Sequence, residues 1–137
     1  MKADRKQYRI LCLDDDAATL AAHKCVLESH GYEVLTAQSS KEALEIMLRE
    51  PIDLLIQDIA RPGINGIELC GVMKSDERLR GIPVVVCSGH EGNRNRLLGQ
   101  CPEVAAVLGK PFELGLFLGV VRKTLQSGAT GPYRRPS

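Results

Sequence analysis

ILCLDDD, residues 10–16, runs four apolar residues straight into three consecutive aspartates. Acids on a solvated surface need no special cause, but these abut a segment that reads as buried. A chain that crowds like charges against the end of its own core is either making a turn or holding something positive. The rest of the sequence decides between the two.

Four other segments share the look of YRILCL (8–13): YEVLTA (32–37), IDLLIQ (52–57), IPVVVC (82–87) and VAAVLG (104–109). Three of the five are near-continuous Val/Ile/Leu runs, the pattern of strands covered on both faces by helices. YEVLTA alternates more and reads as an edge strand. Helical stretches lie between. The first, 16–30, ends at Gly31, a natural position for the left-handed residue after a helix. In the second, Ser39 and Glu42 fit a capping box, and Pro51 marks the stop. A third covers 66–76, and a last, 112–126, repeats Leu114, Phe117, Leu118, Val121 and Leu125 at helical spacing. HEGNRNRLLGQC (90–101) carries two glycines and supports only a short, soft helix. Gly63 and Gly66 read as turn glycines. Strand and helix in alternation predict an α/β domain: a doubly wound, five-stranded parallel sheet with helices on both faces.

Composition narrows the function. With 137 residues, 44% of them hydrophobic, and a net charge of +1, the chain fits one globular domain over 8–126. Residues 1–7 read as a flexible N-terminus, and 127–137 as a flexible tail or linker. Near neutrality argues against direct nucleic-acid binding held by bulk charge. The sequence has no apolar run long enough for a membrane span and no signal peptide. Five cysteines (12, 25, 70, 87 and 101) are odd in number and never spaced C-x-x-C, which excludes a disulfide framework or zinc site and suits the cytoplasm. Cys12 and Cys87 fall within apolar runs and read as core; His23 and His30 read as helix surface.

In open parallel sheets, ligands bind beyond the carboxyl ends of the strands. The residues found there are Asp14-Asp15-Asp16, Asp58, Ser88 and Lys110-Pro111. Asp14, Asp15 and Asp58 sum to −3 and Lys110 returns +1, leaving −2 on one small rim. A divalent cation cancels that charge, and hard carboxylate oxygens suit Mg²⁺. Asp16, ahead of AATLAA, is placed to cap the first helix.

LDDD, DLLIQDIARPGING, IPVVVCSG and VLGKPF, in that order and spacing over 8–126, resemble the signatures of response-regulator receiver domains. The resemblance implies a flavodoxin-like (βα)5 fold with strand order 2-1-3-4-5. It implies a two-component signalling protein, not an enzyme in its own right, that accepts a phosphoryl group from a histidine kinase or phosphotransfer domain. Asp58 then matches the phosphorylated aspartate, Asp14 and Asp15 the metal pair, and Ala60 the residue whose carbonyl completes the Mg²⁺ shell, with Mn²⁺ as a substitute. Ser88 and Gly89 match the phosphoryl-contacting positions, Lys110 the lysine and Pro111 the cis-proline. The implied state is a monomer or weak dimer acting on a downstream protein partner, with no output domain of its own. One departure stands out. The family usually places Tyr or Phe three residues before the lysine, as a ring coupled to the hydroxyl; here that switch position is Val107.

Three other classes meet some of the same residues. A haloacid-dehalogenase-like phosphatase uses a strand-end D-x-D, but Ala18 stands where its pattern wants Thr or Val, no acidic pair follows Lys110, and Asp58 would have no role. A flavin carrier needs hydroxyl- and glycine-rich donors where this chain has acids. A phosphorylation-independent interaction module that keeps the pocket as a relic is separated only by a phosphodonor and Mg²⁺.

Overall fold

The computed structural model describes residues 7–59, 64–88, 104–109 and 113–128. Five strands, β1 (Arg9–Leu13), β2 (Glu33–Ala37), β3 (Leu54–Ile59), β4 (Val84–Ser88) and β5 (Val104–Gly109), form one sheet. Its order is β2-β1-β3-β4-β5, every pair parallel, so YEVLTA is indeed an edge. The described helices are α1 (Ala17–Ser29), α2 (Ser40–Arg49), α3 (Ile64–Ser75) and α4 (Leu114–Gly128). The soft helix expected over 90–101 lies outside the described residues.

The sheet's period-2 alternation splits the core into two layers. Ile10, Cys12, Leu54, Ile56, Val85, Cys87 and Leu108 pack with Leu20 and Leu27 of α1 and Phe117, Val121 and Leu125 of α4. Leu11, Leu13, Leu55, Val84 and Val86 face Ala43, Ile46 and Met47 of α2 and Leu69, Cys70 and Met73 of α3. Each fully buried aliphatic side chain of this kind contributes about 1.5–3 kcal/mol. The central strands are covered on both faces, which is why their sequences run apolar without alternation.

Local signals explain the helix ends. Asp16 caps α1, its Oδ2 accepting from the backbone N–H of Thr19 at 3.3 Å and the Thr19 hydroxyl at 2.6 Å. Gly31 follows with φ +91°, the left-handed conformation that ends such a helix without steric cost. Ser39 caps α2 through Glu42 N–H at 3.1 Å, but Glu42 returns its bond to Gln38 N–H at 2.9 Å, one residue outside the expected partner. Three expectations need correction. α3 begins at Ile64, so Gly66 lies in its first turn and not in a loop, where few helical hydrogen bonds are at stake. The last helix starts and ends two residues later than its apolar spacing suggested. His23 is half-buried, its ring 5.1 Å from that of Phe117, because α1 and α4 lie side by side on one face.

Pairing between β4 and β5 shifts register between Val84 and Val85: Val84 faces Val104, but Val85 faces Ala106. Ala105 is the extra residue of a β-bulge. Simple alternation from Val104 would put position 107 on the α1–α4 face. The bulge turns Val107 to the α2–α3 face, where it packs half-buried.

Candidate functional site at the strand C-termini

Parallel register brings Asp14, Asp58 and Ser88 to one end of the sheet. Leu13 pairs with Gln57, so the next residues, Asp14 and Asp58, leave adjacent strands side by side. Asp58 pairs with Cys87, Ile59 with Ser88, and Ser88 with Gly109, the residue before Lys110. Asp58 is thus the penultimate residue of β3 and Ser88 the last of β4, not the residues after their strands, a difference of one or two positions from the sequence expectation. Ala60, Gly89, Lys110 and Pro111 lie outside the described residues.

The three aspartates have three different environments. Asp14 extends the β1–β2 ladder by one bond, its N–H donating to Ala37 O at 3.1 Å, and only 5% of its surface is exposed. Its Oδ1 accepts from Asp16 N–H at 2.9 Å, which folds the chain back toward the start of α1. Asp15 is pushed to the outside of that turn and is exposed. Asp16 is used up by the helix cap. A buried and an exposed carboxylate therefore stand next to each other at the end of β1, beside the end of β3. That hard-oxygen donor set fits a small divalent cation.

The Cys12 thiol, two residues before Asp14, is not a competing nucleophile. Burial pushes Cys12 up to about 12, only partly offset by the positive charge of Lys24. The thiol stays protonated at neutral pH.

The residue that sequence reasoning passed over is Gln57. Its place at the end of an apolar run marks it as a plain strand terminus, yet the residue is only 3% exposed and its Oε1 has no hydrogen-bond partner. The signal was visible as the lone polar residue in LLIQ, directly before Asp58.

Comparison with known proteins agrees with this arrangement. The family profile of the response regulator receiver domain matches residues 10–122. The response regulator PleD of Caulobacter vibrioides is 32% identical over 114 residues, which cover 83% of this chain and 25% of PleD. The chain thus spans about a quarter of that relative's length. The polar-differentiation response regulator DivK of Brucella ovis is 28% identical over 119 residues, covering 85% of this chain and 94% of DivK. Among solved structures, a CheY-like receiver domain protein from Methanospirillum hungatei JF-1 superposes with TM-score 0.77 at 29% identity, covering 90% of this chain and 97% of that one. TrrA of Thermotoga maritima, solved in complex with Mg(2+)-BeF, gives TM-score 0.75 at 27% identity, over 86% of this chain and 99% of TrrA.

Proposed function

This chain belongs to the response-regulator receiver domain family, and from that premise we propose that Asp58 accepts a phosphoryl group from a histidine kinase or phosphotransfer domain. The observation that carries the proposal is the convergence of β1, β3, β4 and β5, which end side by side with Asp14, Asp58, Ser88 and the approach to Lys110. These residue types recur nowhere else along the strands in such a set.

In the proposed reaction a carboxylate oxygen of Asp58 attacks phosphorus in line, and the bond from phosphorus to the donor's imidazole nitrogen breaks. The electron pair leaves with the imidazole, which takes up a proton. Phosphoryl transfer asks the protein for positioning and charge neutralisation more than for a base. Lys110 supplies one positive charge, and Ser88 with the backbone N–H of Gly89 supplies hydrogen bonds to phosphoryl oxygens. Asp14, Asp15, Asp58 and the carbonyl of Ala60 are the residues that would hold Mg²⁺, whose chemistry there is to offset the charge of the phosphoryl oxygens. Mn²⁺ shares that preference for hard oxygen donors. TrrA's capture with Mg(2+)-BeF supports using that pair as a phosphoryl mimic.

A signalling role in the cytoplasm, through a downstream protein rather than nucleic acid or membrane, completes the reading. Cys12 and Cys25 are free thiols, and among the described residues no helix is long and apolar enough to cross a membrane. Val107 favours one alternative, an interaction module that works without phosphorylation, because its short branched side chain cannot swing as an aromatic ring does. Intact-mass analysis after exposure to acetyl phosphate with Mg²⁺ separates the two. The expected result is one added phosphoryl group, lost completely in Asp58→Asn and absent when a chelator replaces the metal. An unmodified parent chain, or an unchanged yield in Asp58→Asn, would reject Asp58 as the acceptor.

A further inference from the structure

Gln57 sits in a row that crosses the sheet directly beneath the candidate site. Leu13 flanks it on β1 and Val86 on β4, and Val86 pairs in turn with Val107 on β5. Leu13, Val86 and Val107 all belong to the α2–α3 layer, and alternation from Leu55 puts Gln57 on that same face. Each member of the row leads into the rim: Leu13 precedes Asp14, Gln57 precedes Asp58, Val86 comes two residues before Ser88, and Val107 three before Lys110. In the middle of this apolar row stands a carbonyl oxygen that is buried and has no hydrogen-bond partner.

We propose that Gln57 is a conformational sensor of phosphoryl occupancy: its buried Oε1, unbonded in the packing described, gains a hydrogen-bond donor when the rim is occupied. The donor is a water molecule or a main-chain N–H drawn in as the strand ends close around the added charge. This inference rests on the phosphoacceptor reading of Asp58 and names how that site is coupled to the α2–α3 face.

The physical case is an asymmetry. A buried acceptor left unsatisfied is costly, whereas an apolar side chain of similar shape at the same place carries no such cost. The fold itself has no need of an amide between Leu13 and Val86. The unoccupied packing is therefore penalised, and any packing that supplies the donor is favoured by the same amount. That gap appears as ligand affinity, because a ligand shifts two packings only by its differential binding to them. The row also explains why an amide would serve here. Its outer end, where the family resemblance would place a ring, is a half-buried valine with no polar atom to offer. The hydrogen-bonding capacity of this face has moved inward by two strands.

The test compares the parent with Gln57→Met, which keeps the length of the side chain and removes its acceptor. Without ligand the variant should melt higher. It should bind Mg²⁺ with beryllofluoride about tenfold more weakly, since the penalty that favoured the occupied packing is gone. In the parent, the Gln57 side-chain carbonyl carbon resonance should move downfield on saturation with beryllofluoride, as it does when a carbonyl gains a donor. That second readout needs no variant to fold. Equal affinity of parent and Gln57→Met, or a carbonyl resonance that stays in place while beryllofluoride binds, would overturn the inference and leave the phosphoacceptor reading standing. A parent that does not bind beryllofluoride at all would overturn both.

Discussion

The two ends of the sheet use acidic residues in opposite ways. At the end where the strands begin, Asp53, Glu33, Glu50 and Asp76 each have a cationic or backbone partner close by. Asp53 Oδ2 accepts from Arg9 N–H at 2.7 Å, and the Arg9 guanidinium reaches Glu33 at 3.2 Å and Glu50 at 3.1 Å. Asp76, in the connection into β4, is gripped by Arg78 at 2.9 Å and by the backbone N–H of Arg78 at 2.8 Å. At the end where the strands finish, Asp14 and Asp15 follow β1 next to Asp58 of β3, and the Asp14 carboxylate accepts from the Asp16 main-chain N–H. Charges at the first end tie β1, β2 and α2 together. Those at the second are the ones that the proposed function assigns to a cation and a phosphoryl group.

That contrast can be broken most sharply at Asp15. It is exposed and makes no structural cap, so Asp15→Asn should fold with close to parental stability while losing Mg²⁺ affinity by about tenfold or more. Phosphorylation from acetyl phosphate should slow in step. Calorimetric titration with Mg²⁺ checks it, and parental affinity in the variant would remove Asp15 from the metal set.

The converse prediction is smaller. Arg9→Ala should destabilise by about 1 kcal/mol, the sum of two partly exposed ion pairs, with the loss reduced at high salt. Mg²⁺ affinity should not change, because the two ends are electrostatically separate. Urea unfolding at low and high ionic strength measures the first, and a shift in Mg²⁺ affinity would show that the ends communicate.

The smallest effect is expected at Asp76. The hydrogen bonds from Arg78 hold its carboxyl below the ordinary value of 3.8. A depressed folded value contributes stability above the unfolded value and loses it as pH falls through the folded one. Asp76→Asn should therefore differ slightly from the parent at neutral pH, with the difference shrinking below pH 3.8. Melting curves at several pH values check this; a difference that grows on acidification would reverse the sign.

Much of this architecture was legible in the sequence because it rests on local periodicity. Continuous Val/Ile/Leu runs marked the central strands, the alternation of YEVLTA marked an edge, and Ser39, Asp16 and Gly31 marked helix ends through hydrogen bonds made within a few residues. That Asp14, Asp58 and Ser88 come to neighbouring strand ends was legible for a related reason: in a parallel sheet, strand ends must converge. What escaped depends on contacts between distant segments. His23 looked like surface because nothing near it in sequence announces Phe117. Gln57 looked like the end of a strand because the depth of a side chain is set by the layer that α2 and α3 lay over it. The bulge at Ala105 is invisible to periodicity, since it is a mismatch between two strands rather than a feature of one.

That bulge has a bearing on how the molecule lives among its own copies. β5 borders the sheet, and a straight border strand is a template on which another chain's strand can add. Ala105 interrupts the regular spacing of β5 close to its start, and bulged strands bend and twist more strongly than straight ones. The open flank is thereby a poor match for a flat incoming strand. The residue that fixes which way Val107 faces thus also makes this border of the sheet a poorer template for another chain's strand.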